Sequence, residues 1–191
     1  SECLGVFQEL NRYSQDVGSI DLLAPVLVDT CIRPGLARIS DWVFRNVAND
    51  IEIYDRFFEW IRENYPEVKT FGGGVELDDP RAYVYHTAVF VQMALRNGFK
   101  WVGPVVKGAG PNVKQGMKAL QAATVNHNWR KTETDFRSQV IRITKHKPDM
   151  ILVIGHSRST CGFVTELRKQ NIDVKLIVGF SPVASRDSLD R

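Results

Sequence analysis

The stretch "KPDMILVIGHSRSTCGFVTELRKQNIDVKLIVGFSP", residues 147–182, reads as strand, sharp polar turn, helix and strand. Met150–Ile154 is the first strand, a helix runs from about Thr160, and residues 174–178 form the second strand. A strand that feeds a helix and then another strand is the repeating unit of a parallel sheet with crossover helices. Ser157 lies in the turn just after the first strand, with His156 beside it. That turn is either the nucleophile elbow of a hydrolase or the rim of a pocket that holds a ligand.

The same alternation runs upstream. "IDLLAPVLV", residues 20–28, is a β run ending in the polar turn "DTCIRPG". "DIEIYDRFFEWIRENY", residues 50–65, places Ile53, Phe57, Trp60 and Ile61 at helical spacing, with Asp50 as N-cap and Pro66 just past the end. "VKTFGGGVEL" is a strand with a glycine patch at residues 72–74, and "YVYHTAVFVQMALRNG" is a helix closed by Gly98. "FKWVGPVV" is the next strand, and "TETDFRSQVIRITKHK" is helical with Phe136, Val140 and Ile143 on one face. The expected fold class is therefore α/β, a doubly wound parallel sheet. Residues 107–131 exceed an ordinary connection and carry a helical patch near 117–123, which predicts an insertion on the sheet rim.

Length and composition narrow the function classes. The 191 residues suffice for one domain with a core, or for part of a larger two-domain protein. Hydrophobic residues make up 43% and charged residues 25%, the proportions of a soluble globular chain, and the formal charge is +3. Lys and Arg are interleaved with acids and form no aromatic-basic cluster, so no nucleic-acid partner is expected. No apolar run approaches the roughly 18 residues of a membrane span, so no direct membrane insertion is expected. Cys3, Cys31 and Cys161 are odd in number and widely spaced, which speaks against a zinc site or a disulfide framework.

In an open parallel sheet, ligands bind beyond the carboxyl ends of the strands. That rule selects residues 29–30, 78–83, 155–159 and 180–181, which together offer hydroxyls, an imidazole, a phenol and two carboxylates. Such a set suits a small polar ligand. His86, His127, His146 and His156 fall on different elements without carboxylates at useful spacing, so no metal and no cofactor is expected. "FGGG" lacks both the GxxxxGK[ST] and the GxGxxG frames, and its glycines are expected to let strands, or a strand and a ligand, approach closely. A serine esterase using Ser157 is the alternative. "GHSRS" has Ser159 where a nucleophile elbow has glycine, and no histidine follows His156 to complete the order serine, acid, histidine.

Three ordered segments resemble the type I periplasmic binding proteins of branched-chain amino-acid ABC transporters. "LLAPVLVDT" is similar to the last first-lobe segment before the crossover. "WVFRNVANDIEIYDRFFEWIRE" followed by "VKTF" resembles the crossover and the first helix and strand of the second lobe. "TDFRSQVIRITKHKPDMILVIG" looks like the family's turn, helix and "PD" strand that ends at the pocket. The resemblance covers most of the chain outside 107–131. It implies a partial first lobe and crossover in residues 1–45 and a second α/β lobe in 46–191. The chain opens on "SEC" and stops at "SRDSLDR" just after a strand, as a truncated piece of such a two-lobed protein would.

The resemblance further implies capture rather than catalysis. Two lobes would close on a small-molecule ligand, an amino acid, amide or carboxylate, and present it to the membrane permease of an ABC transporter. The location would be periplasmic or extracellular; a sensor or receptor ectodomain would keep the same pocket. Ser1 and Thr30 would lie on the first-lobe rim, and Tyr83 would pack over the ligand. His156 and Ser157 would form another wall. Ser181 stands near the place where amino-acid binders of this family hold an acid for the ligand's ammonium, and its lack of charge disfavours an α-amino acid.

Overall fold

Residues 150–154 form a strand whose five side chains are all buried, as an apolar run at the centre of a parallel sheet must be. The computed structural model describes residues 12, 26–28, 43–78, 83–102 and 128–179. The chain divides into two compact units, Ser1–Arg56 and Phe57–Arg191. In chain order the described elements are β1 (Val26–Val28), β2 (Val43–Arg45), α1 (Asp50–Asn64), β3 (Thr70–Val75), α2 (Tyr85–Arg96), β4 (Lys100–Trp101), α3 (Arg137–Thr144), β5 (Met150–Ile154), α4 (Ser157–Lys169) and β6 (Leu176–Gly179).

In the first unit β1 pairs in parallel with β2, Val26 opposite Val43. Only the last three residues of the strand expected at 20–28 are described. The N-cap of α1 is Asn49, not Asp50. The Asn49 side chain accepts the Glu52 N–H at 3.2 Å, and Glu52 accepts the Asn49 N–H at 3.3 Å. This reciprocal capping box makes Asp50 the first helical residue.

The second unit is built on a four-stranded, all-parallel sheet in the order β4-β3-β5-β6. Side chains alternate across it. Ile151 and Val153 of β5 enter one core with Val140 and Ile143 of α3, Phe163 and Leu167 of α4, and Trp129 and Phe136. Trp129 stacks on Phe163 (centroids 5.5 Å apart, 29° between planes), and Phe136 meets Trp129 edge-on at 5.7 Å. On the opposite face Phe71 of β3 meets Phe90 of α2 edge-on, and Phe90 lies 4.9 Å from Phe58 of α1. The sheet is thus covered by α1 and α2 on one side and by α3 and α4 on the other.

The face of α1 differs from expectation. Phe58 and Ile61 are its fully buried apolar residues, whereas Ile53 and Trp60 are 39% and 45% exposed. The six apolar residues of this helix, Ile51, Ile53, Phe57, Phe58, Trp60 and Ile61, cannot all face one way, and packing against Phe90 and Phe99 selects Phe58. The expected face of α3 is observed: Phe136, Val140 and Ile143 are all buried. Asp135 opens this helix by accepting the Arg137 N–H at 3.1 Å and pairing with its guanidinium, and that side-chain pairing above all holds its carboxyl down to about 2.

The glycines of β3 serve strand approach. A Cβ on Gly73 would strike the Leu152 carbonyl across the β3–β5 ladder, and one on Gly72 would lie 2.7 Å from the Val102 carbonyl. Gly98, at φ 85, closes α2 with a Schellman motif: the Phe99 N–H bonds to Ala94 at 3.0 Å and the Gly98 N–H to Leu95 at 3.1 Å.

The boundary of the expected insertion shifts. Residues 103–127, with the helical patch expected near 117–123, lie outside the described residues. Within residues 128–131, Trp129 pairs with the edge of the sheet. Trp129 bridges Glu76 in parallel, its N–H bonding to Val75 and its carbonyl accepting from Leu77. It therefore continues along β3 the lane that β4 occupies at Thr70 and Phe71. The Asn128 side chain accepts the Val75 N–H at 3.1 Å, and Asp78 accepts the Lys131 N–H at 2.6 Å.

Candidate functional site

The chain leaves β3 for β4 on one side and leaves β5 for β6 on the other. The carboxyl ends of β3 and β5 are therefore the point where the winding reverses, the place where open parallel sheets form their ligand crevice. Glu76 directly follows β3, and Gly155 and His156 directly follow β5.

These two ends are joined by a buried carboxylate. Glu76 is fully enclosed, and both of its oxygens are hydrogen-bonded. Its Oε1 lies 2.5 Å from His156 Nδ1. Its Oε2 accepts the His156 backbone N–H at 3.1 Å and the Ser159 hydroxyl at 2.7 Å. The Ser159 oxygen also lies 3.0 Å from the His156 carbonyl, within the first turn of α4. Gly155 is required for this closeness, since a Cβ there would lie 2.7 Å from Ser159 Oγ and 3.0 Å from Glu76. A buried acid without such partners would cost several kcal/mol, about 1–3 for each unmade hydrogen bond. His156 is the N-cap of α4, extended at φ −64 and ψ 155. Its ring is 41% exposed, and the Tyr83 ring stands edge-on to it at 5.0 Å.

Of the six residues expected at the site, Tyr83, His156 and Ser157 fall at this crevice; Ser1, Thr30 and Ser181 lie outside the described residues. Tyr83 and His156 are in contact. Ser157 is the first residue of α4, which begins there rather than near Thr160. The expectation that His156 lacks a carboxylate partner is corrected by Glu76, which lies 80 positions away in sequence. Among the described residues no group of three His, Cys, Asp or Glu is arranged to hold a metal ion.

The geometry also bears on the hydrolase alternative. Glu76 and His156 form an acid–imidazole pair, but the hydroxyl that joins them, Ser159, is buried and donates to the acid. No described hydroxyl meets His156 Nε2, so no serine–histidine–acid relay is assembled among the described residues. Nor does Ser157 carry the strained backbone of an elbow: the described non-glycine residues at positive φ are Lys147 and Asn171.

A second polar cluster lies at the opposite, amino end of the sheet and is structural. Asp149 Oδ2 accepts the Lys69 N–H (3.0 Å), the Thr70 N–H (2.9 Å) and the Thr70 hydroxyl (2.8 Å), while Lys175 Nζ reaches Oδ1 at 2.7 Å. Partial desolvation pushes this carboxyl up, but the four donors together outweigh it and hold it well below the usual carboxylate range.

No protein-family model matches the sequence, and no curated protein is significantly similar to it. Solved structures are similar in fold. One, from Rhodospirillum rubrum and assigned to branched-chain amino acid ABC transport, superposes with a TM-score of 0.60 at 18% identity, over 87% of this chain and 40% of that one. Another, an ABC-transporter solute-binding protein from R. palustris in complex with 4-hydroxybenzoate, gives a TM-score of 0.53 at 16% identity, over 84% and 37%. The chain spans about 40% of the length of these neighbours. At such identities the likeness is one of fold. Over this length the protein has the parallel α/β fold of the type I periplasmic binding proteins.

Proposed function

We infer that the protein is a solute-binding component of an ABC transporter, capturing a small polar ligand and delivering it to a membrane permease from the periplasmic or extracellular side. The observation that carries this is the set of side chains at the winding reversal. There Tyr83 and the half-exposed His156, backed by an enclosed Glu76, form one polar and aromatic wall. Solute pockets combine apolar surface with a few fixed polar groups, and here the polar group is fixed from behind. The fold neighbours, both ABC-transport proteins, support the same assignment.

In this proposal residues 1–45 belong to a first lobe and the crossover, and residues 46–191 to the second lobe. Ser1 and Thr30 hold the ligand from the first lobe, and Tyr83, His156, Ser157 and Ser181 from the second. Amino acids, amides and carboxylates are the candidate ligands, and binding proceeds by hinge closure without chemical change. No helix among the described residues is long and apolar enough to cross a membrane. The test is a thermal-shift screen of the ligand-stripped, full-length protein against amino acids, amides and carboxylates. A ligand at 100 times its Kd adds about 2.7 kcal/mol to stability. Recovery of the compound intact supports binding; ester turnover abolished by Ser157→Ala would replace it with the hydrolase.

A further inference from the structure

Glu76 has no role in the family resemblance, yet it is the most constrained polar group at the crevice. Its carboxyl is completely enclosed, and the single basic partner recorded for it among the described residues is His156. Oε1 and Nδ1 are hydrogen-bonded at 2.5 Å, with the tautomer setting which of them donates. If the acid is ionised and the ring charged, Nδ1 donates and Nε2 also carries hydrogen. If both are neutral, the acid donates to Nδ1 and the ring's own proton must sit on Nε2. Only a charged acid beside a neutral ring would bare Nε2, and that state leaves an enclosed carboxylate with hydrogen bonds but no counter-charge, which the other two avoid. In both states without net charge on the pair the outward ring nitrogen is a donor.

We propose that the Glu76–His156 pair is a specificity-determining device: it presents His156 Nε2–H to a carboxylate oxygen of the ligand. The inference rests on the solute-binding assignment and names the ligand class. Four observations support it. Nδ1 is committed to Glu76, so Nε2 is the ring nitrogen a ligand can reach, and it has no partner among the described residues. The ring is 41% exposed while its acid is sealed. Tyr83, edge-on at 5.0 Å, limits the ring's rotation. Glu76 is enclosed and its oxygens are spent on the His156 N–H, the Ser159 hydroxyl and Nδ1, so a ligand cannot reach its charge. A ligand ammonium therefore finds no available anion in this pair, whereas a carboxylate finds a positioned donor. Glu76 touches no ligand and acts as a positioning residue.

The test has two independent readouts on the full-length protein. First, long-range proton–nitrogen correlation spectra of the ligand-free, nitrogen-15-labelled protein, assigned with His156→Gln, report which ring nitrogens carry hydrogen. The expected result is a protonated Nε2 that changes state in Glu76→Gln, with circular dichroism confirming that both variants fold. A bare Nε2 opposite a protonated Nδ1 would overturn the proposal. Second, calorimetry compares acid and amide pairs of one shape: benzoate with benzamide, 4-hydroxybenzoate with 4-hydroxybenzamide, and isovalerate with isovaleramide. The acid of at least one pair should bind about 10- to 100-fold more tightly than its amide, the span of one charge-assisted hydrogen bond, and His156→Gln should abolish the difference. Amides binding as well as acids would overturn this inference alone. Failure of every pair to bind would also overturn this inference, and failure of the wider amino-acid, amide and carboxylate panel would overturn the solute-binding assignment as well.

Discussion

Replacing Asp149 by asparagine tests the clamp that closes the amino end of the sheet. Asp149 Oδ2 gathers two backbone N–H groups and the Thr70 hydroxyl, and Oδ1 holds Lys175. Asparagine has nearly the same shape but turns charge-assisted bonds into neutral ones and sets an NH2 group against one of the donors. A bond to a charged group contributes about 1.5–3 kcal/mol and a neutral one about 0.5–1.5. The ion pair to Lys175, which is 47% exposed, adds only about 0–1 kcal/mol. Because the bonds share one carboxylate they do not add, and the expected loss is about 2 kcal/mol at pH 7. The sign with pH follows from the lowered carboxyl. A carboxyl depressed in the folded state contributes fully above its unfolded value, about 3.9. That contribution is lost as pH falls below it toward the folded value. Urea denaturation of wild type and Asp149→Asn should therefore show a gap of about 2 kcal/mol at pH 7 that narrows below about pH 4. A gap constant from neutral to acid pH, or one under about 0.5 kcal/mol, would refute the assignment of this clamp to a charged acceptor.

Three further substitutions probe the scaffold. Gly73→Ala drives a methyl into the Leu152 carbonyl, backbone that cannot yield without opening the β3–β5 ladder, and should cost about 1–3 kcal/mol or more in denaturant unfolding. Phe163→Ala empties the centre of the Trp129, Phe136 and Val140 cluster and should cost about 3–5 kcal/mol, with quenching of Trp129 fluorescence altered as its stacked neighbour is removed. Asn49→Ala breaks the capping box and should cost about 1 kcal/mol, a loss that Asn49→Ser largely restores.

Local chemistry made much of the scaffold legible. The bounded apolar run Met150–Ile154 could be placed to the residue, and Gly98 marked the end of α2 through its positive φ. What depended on distant contacts was not legible. Ile53, Phe57, Trp60 and Ile61 satisfy a helical period, but α1 buries Phe58 and Ile61 because Phe90 and Phe99 lie there. Trp129 looked like part of a loop because its pairing with Glu76 spans 53 positions. Glu76 itself was missed at the site for the same reason, its partners lying 80 and 83 positions away. A usable signal existed: an acid directly after a central parallel strand sits where the chain winding reverses, opposite whatever follows the next strand.

Solute binding is tested most directly by isothermal titration of the ligand-stripped, full-length protein with the acid and amide pairs, in wild type and in His156→Gln. Saturable one-to-one binding of an intact carboxylate, weakened about 10- to 100-fold in the variant, is the expected result. No heat with any compound, alongside ester hydrolysis that disappears in Ser157→Ala, would contradict it and make the turn after β5 a catalytic elbow.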